Sequence, residues 1–506
     1  MKKLLLFFLC FALLISSSAG LLSCQTGGKQ KTETTNAQSN ATGGGETETV
    51  APENDLYADL KTVNYSKNGL ATEFTIYSNY VEASNSVGIM DTDDVTTTFS
   101  SAVYSRNRFV EEQLGVMIQW KYDVYGTVSN ALPNIHASGD YPYDIVYNES
   151  YIQQQAVLKG IYKSANDYSK YLDFDKPWWY SDILESLTVA DNLFLLAGAL
   201  NLTVDDMMWC VGFNAKIISD FGAQSPFDYV YDNEWTWENF YKLSQDTRAE
   251  GKYGITGIYS FVDALMFGSG LTLLSKNEDG ELIRSTVDDR FVTLYQELQT
   301  KFLTSNGVGA EYENCMRPYF SAESYQNFAP WPNFMDVFTG GNATFTVGVT
   351  GNMRMSLPMS EISYGIVPSP KYNSEQETYC SNMSRPAGCG GILENQPNES
   401  LERVCTVWEW LSAYSHKLVR PVYYDVIMLG RVPRQEETSE MLNIIFGLDE
   451  RGKIVVELDT VFDTQMVVLL EDGAFDLRPD IAGIMRSNAK TVDSKIETIY
   501  EFYRSN

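Results

Sequence analysis

The sequence predicts an α/β chain built around a parallel sheet. Between Glu73 and Tyr147, β-favouring runs alternate with a segment whose apolar residues recur at helical spacing. Gly115 falls where that segment must stop and the next strand begins. The chain has 506 residues, 44% of them hydrophobic, which is too long for one ordinary core and suggests two or three domains.

Glu73-Phe74-Thr75-Ile76-Tyr77-Ser78-Asn79 reads as a strand. A helix is expected from about Val103 to Leu114, with Phe109, Val110 and Leu114 on one face. Val116–Trp120 and Tyr143–Tyr147 read as further strands. This order implies a parallel sheet with right-handed crossovers. Ligands of such sheets bind beyond the carboxyl ends of the strands, which here carry Ser78, Asn79, Asn148 and Glu149. Met207–Asn214 is an apolar strand leading into a helix, and Thr236 is placed to cap the helix that begins at Trp237. Phe291–Phe302 reads as an amphipathic helix, and Ala343–Val349 and Tyr364–Pro368 as strands. Leu401, Val404, Cys405, Trp408 and Leu411 repeat at helical spacing. A short helix is expected around Ile481–Met485 and a separate polar one over Val492–Phe502. No internal repeat of fixed period is visible.

Composition narrows the function classes. Lys plus Arg total 37 against 66 Asp plus Glu, a formal net charge of -29. Such a surface repels nucleic acid and anionic lipid. The two histidines, His136 and His416, stand far apart, which argues against imidazole-based metal sites and His-dependent general-base catalysis. No metal and no cofactor are expected. The 32 Tyr and 9 Trp suit either ordinary packing or a cleft lined with flat, amphipathic rings.

At the start of the chain, Lys2 and Lys3 precede an apolar run, Leu4–Ile15, of signal-peptide length. Leu21-Leu22-Ser23-Cys24 looks like a lipobox, so residues 1–23 are expected to be a signal peptide and Cys24 the lipidated first residue. Two acyl chains anchor stably where one is marginal. Residues 24–58 are rich in Gly, Thr, Asn, Gln and Glu and read as a disordered tether. The membrane is thus expected as a partner only through the anchor. With Cys10 and Cys24 set aside, Cys210, Cys315, Cys380, Cys389 and Cys405 remain, with no CxxC pair. Cys380 and Cys389 are open to a local disulfide or to life as buried thiols.

Several stretches resemble the extracellular solute-binding family that includes maltose-binding protein. They are Phe109–Ile118, Tyr143-Asp144-Ile145-Val146, Pro177-Trp178-Trp179, Leu195-Leu196-Ala197-Gly198, Phe213-Asn214, Trp235-Thr236-Trp237-Glu238, Phe338–Phe345 and Tyr364–Tyr372, in the family's order. Tyr423–Leu442 is similar to a C-terminal pattern of clostridial members, and the match weakens after about Asp459. The resemblance implies a two-lobed periplasmic-binding-protein-like fold, with hinge strands near Trp209–Asn214 and Ala343–Val349. It implies capture of a carbohydrate between the lobes and delivery to an ABC transporter permease, by a monomer with no enzymatic step. The expected division is 59–210 with 343–384 as lobe 1, and 211–342 with 385–506 as lobe 2.

The candidate ligand-binding residues are Asn79, Asn148, Glu149, Trp178, Trp209, Phe267, Ser269, Asn352 and Arg385. Each has a plain structural alternative. The Asn residues suit turn capping, the Trp residues suit core packing, Phe267-Gly268-Ser269 can be a turn, and Arg385 can form a surface ion pair in place of a fork to ligand. Trp235, Trp237 and Trp331 read as structural. Two other function classes stay open: an anchored glycosidase, which requires two carboxylates at a fixed separation, and a surface glycan-binding lipoprotein. Peptides and polyamines use similar binding groups, and Glu149 would suit an amine.

Overall fold

A computed structural model of the chain describes residues 56–78, 97–122, 127–248, 252–257, 260–303, 333–358, 360–385, 387–428 and 435–506. The signal peptide, Cys24, most of the tether, Asn79, Cys315 and Trp331 lie outside the described residues. The described strands are β1 (Glu73–Ser78), β2 (Met117–Tyr122), β3 (Ile145–Glu149), β4 (Trp209–Asn214), β5 (Tyr253–Gly257), β6 (Leu274–Lys276), β7 (Leu282–Arg284), β8 (Ala343–Val349), β9 (Tyr364–Pro368), β10 (Tyr379–Asn382), β11 (Gly388–Gly391) and β12 (Gly452–Val455). They form two four-stranded sheets, β11-β3-β1-β2 and β5-β8-β4-β9, and two pairs, β10-β12 and β6-β7.

In the first sheet β1 runs parallel to both neighbours, with Ile76 opposite Trp120 and Ile145. The connecting helix Thr98–Leu114 starts earlier than its apolar periodicity suggests. Its first turn is polar, and the start is set by Thr97, whose hydroxyl accepts from Ser100 N at 3.0 Å. Gly115 ends the helix in the left-handed region, φ 62°. The sheet is completed by β11, which returns antiparallel to β3 with Gly390 opposite Tyr147. A Cβ on Gly390 would lie 2.7 Å from both the Trp408 and Tyr147 rings. Glycine therefore lets the Trp408 indole lie over the strand, where its Nε1 donates to Tyr147 Oη at 2.8 Å.

Trp408 belongs to the helix Leu401–Tyr414, which packs on Thr98–Leu114. Glu409 on this helix is 7% exposed, and it accepts from the indole nitrogens of Trp178 and Trp179. Burial pushes its carboxyl up to about 7, against the lowering by these donors.

In the second sheet β4 is central and antiparallel to both β8 and β9, while β5 runs parallel to β8. These pairings fix which strands share a sheet. Residues 343–349 and 364–368 join β4 and β5, and 388–391 joins β1–β3. The physical reason is backbone pairing: every β8 residue is buried against β4, so it cannot belong to the other sheet.

The two expected C-terminal helices are one, Ile481–Ser505. The intervening Arg486–Thr491 holds no helix breaker, so its polar residues change the exposed face without ending the helix. This helix meets β7 through Arg284 and Asp493 (3.0 Å), and the first sheet's side through Tyr503 Oη, which donates to Gln154 at 2.8 Å. Cys380 and Cys389 lie on strands of different sheets, and both are free thiols, as are Cys210 and Cys405. Among the described residues no helix is long and apolar enough to cross a membrane.

The folded Glu409 carboxyl keeps its proton up to about pH 7, while an unfolded one releases it near 4.5. The folded state therefore binds more protons in that window, and this contribution to stability is lost as pH rises through it. Relative to Glu409→Gln, the wild-type chain is expected to lose about 3 kcal/mol of unfolding free energy between pH 4.5 and 7. Urea denaturation of both proteins across that range checks it.

Candidate functional site

Three segments meet at Met207 and Met208, and the first and third of them carry the chain between the two sheets. The first is the helical turn Thr203–Asp206 leading into β4. The second runs from β8 into the helix Thr350–Ser356, where Thr350 N donates to Met208 O at 2.9 Å. The third runs from β10 to β11: Met383 bridges Met208, and Ser384 N donates to Met207 O at 2.7 Å. Further along, Gly388 N donates to Thr203 Oγ1 at 2.8 Å, and Ala387 O accepts from Ser150 N at 2.9 Å. The end of β3 is thus tied directly to the third segment.

A neutralised polar cluster holds this knot on one side. Asp206 accepts from Arg354 at 3.0 and 2.8 Å and from Tyr423 at 2.7 Å. Asp205 accepts from Arg420 at 2.9 Å and from Tyr180. Both aspartates are nearly fully buried. Each carboxylate has its own guanidinium, and burial first, then the nearby aspartates, push Tyr180 and Tyr423 well above the usual phenol range.

The other side of the knot is different in kind. Arg385, on the third segment, pairs with Asp463, and its guanidinium carbon lies 4.4 Å from the Tyr151 ring centroid. Asp463 also accepts from Gln155 at 3.1 Å and Gln465 at 2.8 Å, so the charge of Arg385 is already engaged. Asp463 and Gln465 hold left-handed backbone, φ 54° and 82°. Around them stand four more buried carboxylates: Asp263, Glu457, Asp459 and Glu471. Glu457 accepts from the backbone N–H of Leu273, Leu274 and Asp459, and Asp459 from those of Thr464 and Val467, so backbone donors hold both. Glu471 accepts from Ser260, and burial pushes it up to about 7. Asp263 is raised further, by burial first and then by Glu471, Glu457 and Asp459. Its Oδ1 has no hydrogen-bond partner among the described residues.

The same holds for a set of polar atoms on the crossing segments and strand ends: Asn148 Nδ2, Ser150 Oγ, Trp209 Nε1, Arg385 Nε, and both Oδ1 and Nδ2 of Asn382. Trp209 and Asn382 each lie one residue from the Met208–Met383 bridge. An unsatisfied buried polar group costs about 1–3 kcal/mol. Native interiors keep them few, so each calls for a role.

The structure thus gathers Asn148, Glu149, Trp209 and Arg385 around one junction. Phe267 and Ser269 are buried beside β10, with the Ser269 hydroxyl donating to Met266 O at 2.5 Å. Two candidates are engaged elsewhere. Trp178 donates to Glu409 inside the first sheet's helical layer, and its ring stacks on Tyr57 at 5.7 Å. Asn352 Oδ1 accepts from Val349 N at 3.0 Å, capping the helix Thr350–Ser356. Sequence reasoning missed Tyr151, Asp263, Asn382, Asp463 and Glu471. Asp263 was within reach of the strand-end rule, since it follows β5 as Asn148 and Glu149 close β3.

No family model and no curated relative matches the chain. Solved structures do. An ABC substrate-binding protein from Listeria monocytogenes in complex with cycloalternan is 12% identical, with a TM-score of 0.52 over 85% of this chain and 98% of that one. A cyclo/maltodextrin-binding protein complexed with maltotetraose gives 11%, 0.53, 86% and 97%. A sugar transporter protein from Rhizobium etli in an open conformation gives 13%, 0.52, 86% and 100%. The chain has the two-lobed solute-binding fold.

Removing one partner of a buried ion pair leaves an uncompensated charge. Arg354→Met is expected to lower unfolding free energy by about 3–5 kcal/mol. Adding Asp206→Leu to it should recover part of that loss. Urea denaturation midpoints of the single and double variants check both.

Proposed function

We propose that this chain is an extracytoplasmic solute-binding lipoprotein that captures a carbohydrate between its lobes and delivers it unaltered to the permease of an ABC importer. The observation that supports it best is the set of unpartnered donors and acceptors at the interlobe junction, contributed by both sheets and the crossings between them. Sugar hydroxyls donate and accept at once, so one polyhydroxylated ligand can satisfy such a mixed set. Closure is favoured only by a ligand that touches both lobes. Asn148, Glu149 and Ser150 stand on the first lobe, and Trp209, Asp263 and Asn382 on the second, which meets that requirement. Neighbours of the same fold are described as holding cycloalternan and maltotetraose.

In the revised division we propose, the first lobe carries β1–β3 and β11, and the second carries β4, β5, β8 and β9. Trp209, Val349 and the Met383–Ala387 crossing then sit at the hinge. The leader and Cys24 complete the picture: cleavage before Cys24 and its diacylation would hold the body at the outer face of the membrane by two acyl chains. Cys24→Ser is expected to move the protein from the membrane fraction to the medium, read by fractionation and immunoblot.

Calorimetric titration with a panel of oligosaccharides tests the ligand class directly. Saturable binding with the sugar recovered intact is the expected result. Absence of binding to every sugar, or turnover of the sugar, overturns it. Trp209→Phe keeps an aromatic ring and removes one donor. It is expected to weaken binding about 5–10-fold, the worth of one hydrogen bond, and to lower the melting temperature, because the smaller ring leaves a gap at a fully buried position.

A further inference from the structure

The charge balance at the junction deepens the solute-binding reading, on which this inference rests. Two buried carboxylates, Asp263 and Glu471, stand there without a cation of their own among the described residues. Arg385 is the guanidinium that faces them, and it is paired with Asp463. Arg290, on the helix Asp289–Leu298 that packs beside Asp263, spends its guanidinium on Ser269 O at 2.9 Å. Lys495 reaches only the backbone carbonyl of Asp463, at 3.4 Å. The hinge cluster supplies the contrast: Asp205 and Asp206 each have a dedicated arginine. Carboxylates buried together without counter-charge stay protonated or are matched by something that binds.

A second, independent feature points the same way. Asn382 is fully buried, and both ends of its amide lack a partner. It lies on β10, which packs against the helix Phe261–Met266 that carries Asp263. Side chains two apart on a strand share a face. Cys380, two residues before Asn382, places its Sγ 3.7 Å from where a Cβ on Gly270 would stand, so this face of β10 looks toward the Phe261–Gly270 segment. The amide is therefore directed to the side where the two carboxylates lie, and it presents a donor and an acceptor that nothing in the chain uses.

We propose that the solute carries a protonated amine on a polyhydroxylated frame, as an amino sugar or aminocyclitol does, with the ammonium seated against Asp263 and Glu471 and hydroxyls on Asn382, Ser150 and Trp209. The ammonium supplies the missing counter-charge and donates to Asp263 Oδ1. The hydroxyls satisfy the amide, the serine and the indole. A neutral sugar fills only the second part of this site. A linear polyamine fills only the first.

The test is calorimetric titration of the full-length mature protein with three matched probes: glucosamine trisaccharide, its N-acetylated form, and maltotriose. The free-amine trisaccharide is expected to bind at least tenfold tighter than the other two. Asp263→Asn and Glu471→Gln are each expected to narrow that ratio at least tenfold, with folding verified by thermal melts. Should either variant fail to fold, the three-probe ratio in the wild-type protein decides alone. Equal affinity for all three probes overturns this inference and leaves the solute-binding reading standing. No binding of any of them, with spermidine bound, overturns the carbohydrate frame in both. An amine preference that survives both folded variants overturns the assignment to Asp263 and Glu471.

Discussion

Asp205 and Asp206 occupy the point where the chain leaves one sheet for the other, and nearly all their surface is buried. Carboxylates there must be neutralised or the crossing comes apart. Arg354 reaches Asp206 from the helix that follows β8, and Arg420 reaches Asp205 from the helical layer on the first sheet. Tyr180 and Tyr423 take further lone pairs. The ion pairs therefore bind together three pieces of chain that are distant in sequence, and they do so beside Met207 and Met208, where the three segments are laced by backbone hydrogen bonds. A hinge has to keep its strands in register while the lobes on either side move. Dedicated pairs with short reach provide that, because their geometry is set by the crossing segments themselves.

The packing around this knot follows from residue size as much as from charge. Gly390 and Gly391 leave room over β11 for Trp408 and Tyr162, whose rings would otherwise meet a Cβ within 2.7 Å and 2.6 Å. The Trp408 indole then bonds Tyr147 on the neighbouring strand, and Trp179 packs edge-on against it with centroids 5.7 Å apart. Aromatic surplus, which composition leaves divided between core and cleft, is spent on the interior around both sheets, as Trp235, Phe240 and Phe345 show for the second. Trp178 shows the same allocation, since its donor is taken by Glu409 in the first sheet's helical layer. Trp209 differs: it is buried on the hinge strand with its N–H unpartnered.

Much of the scaffold was legible from residue pattern. β8 and β9 match their expected spans, and Thr236 caps its helix by accepting from Asn239 N. Their runs are long, apolar and bounded by turn residues, the conditions under which periodicity speaks clearly. β10, β11 and β12 were not legible: each has four residues, and Tyr-Cys-Ser-Asn or Gly-Cys-Gly-Gly carries neither alternation nor β-branching. They are strands because partners distant in sequence pair with them, β12 with β10 and β3 with β11. Which sheet each return strand joins was illegible for the same reason. Half of the junction was visible through the strand-end rule, which found Asn148 and Glu149. Asp463 and Glu471 come from the C-terminal region, where the resemblance fades, and only tertiary packing brings them beside Asp263.

The two acidic clusters at the crossing divide a single physical problem between them. At the hinge, each buried carboxylate meets its own guanidinium, so the charges are settled whether or not a solute is present. At the junction facing it, backbone N–H groups settle Glu457 and Asp459, Arg385 settles Asp463, and Asp263 and Glu471 are left to each other. Both arrangements bury carboxylates in the same low-dielectric surroundings, so burial alone cannot explain why one side is matched and the other is not. What differs is position. The matched pair lies on the helical turn leading into β4, whereas Asp263 lies on the helix Phe261–Met266 after β5 and Glu471 on the helix Met466–Phe475 packed against it. Where the sheets join, the buried carboxylates are electrostatically self-sufficient; beside Asp263 burial instead holds the acids toward their neutral forms.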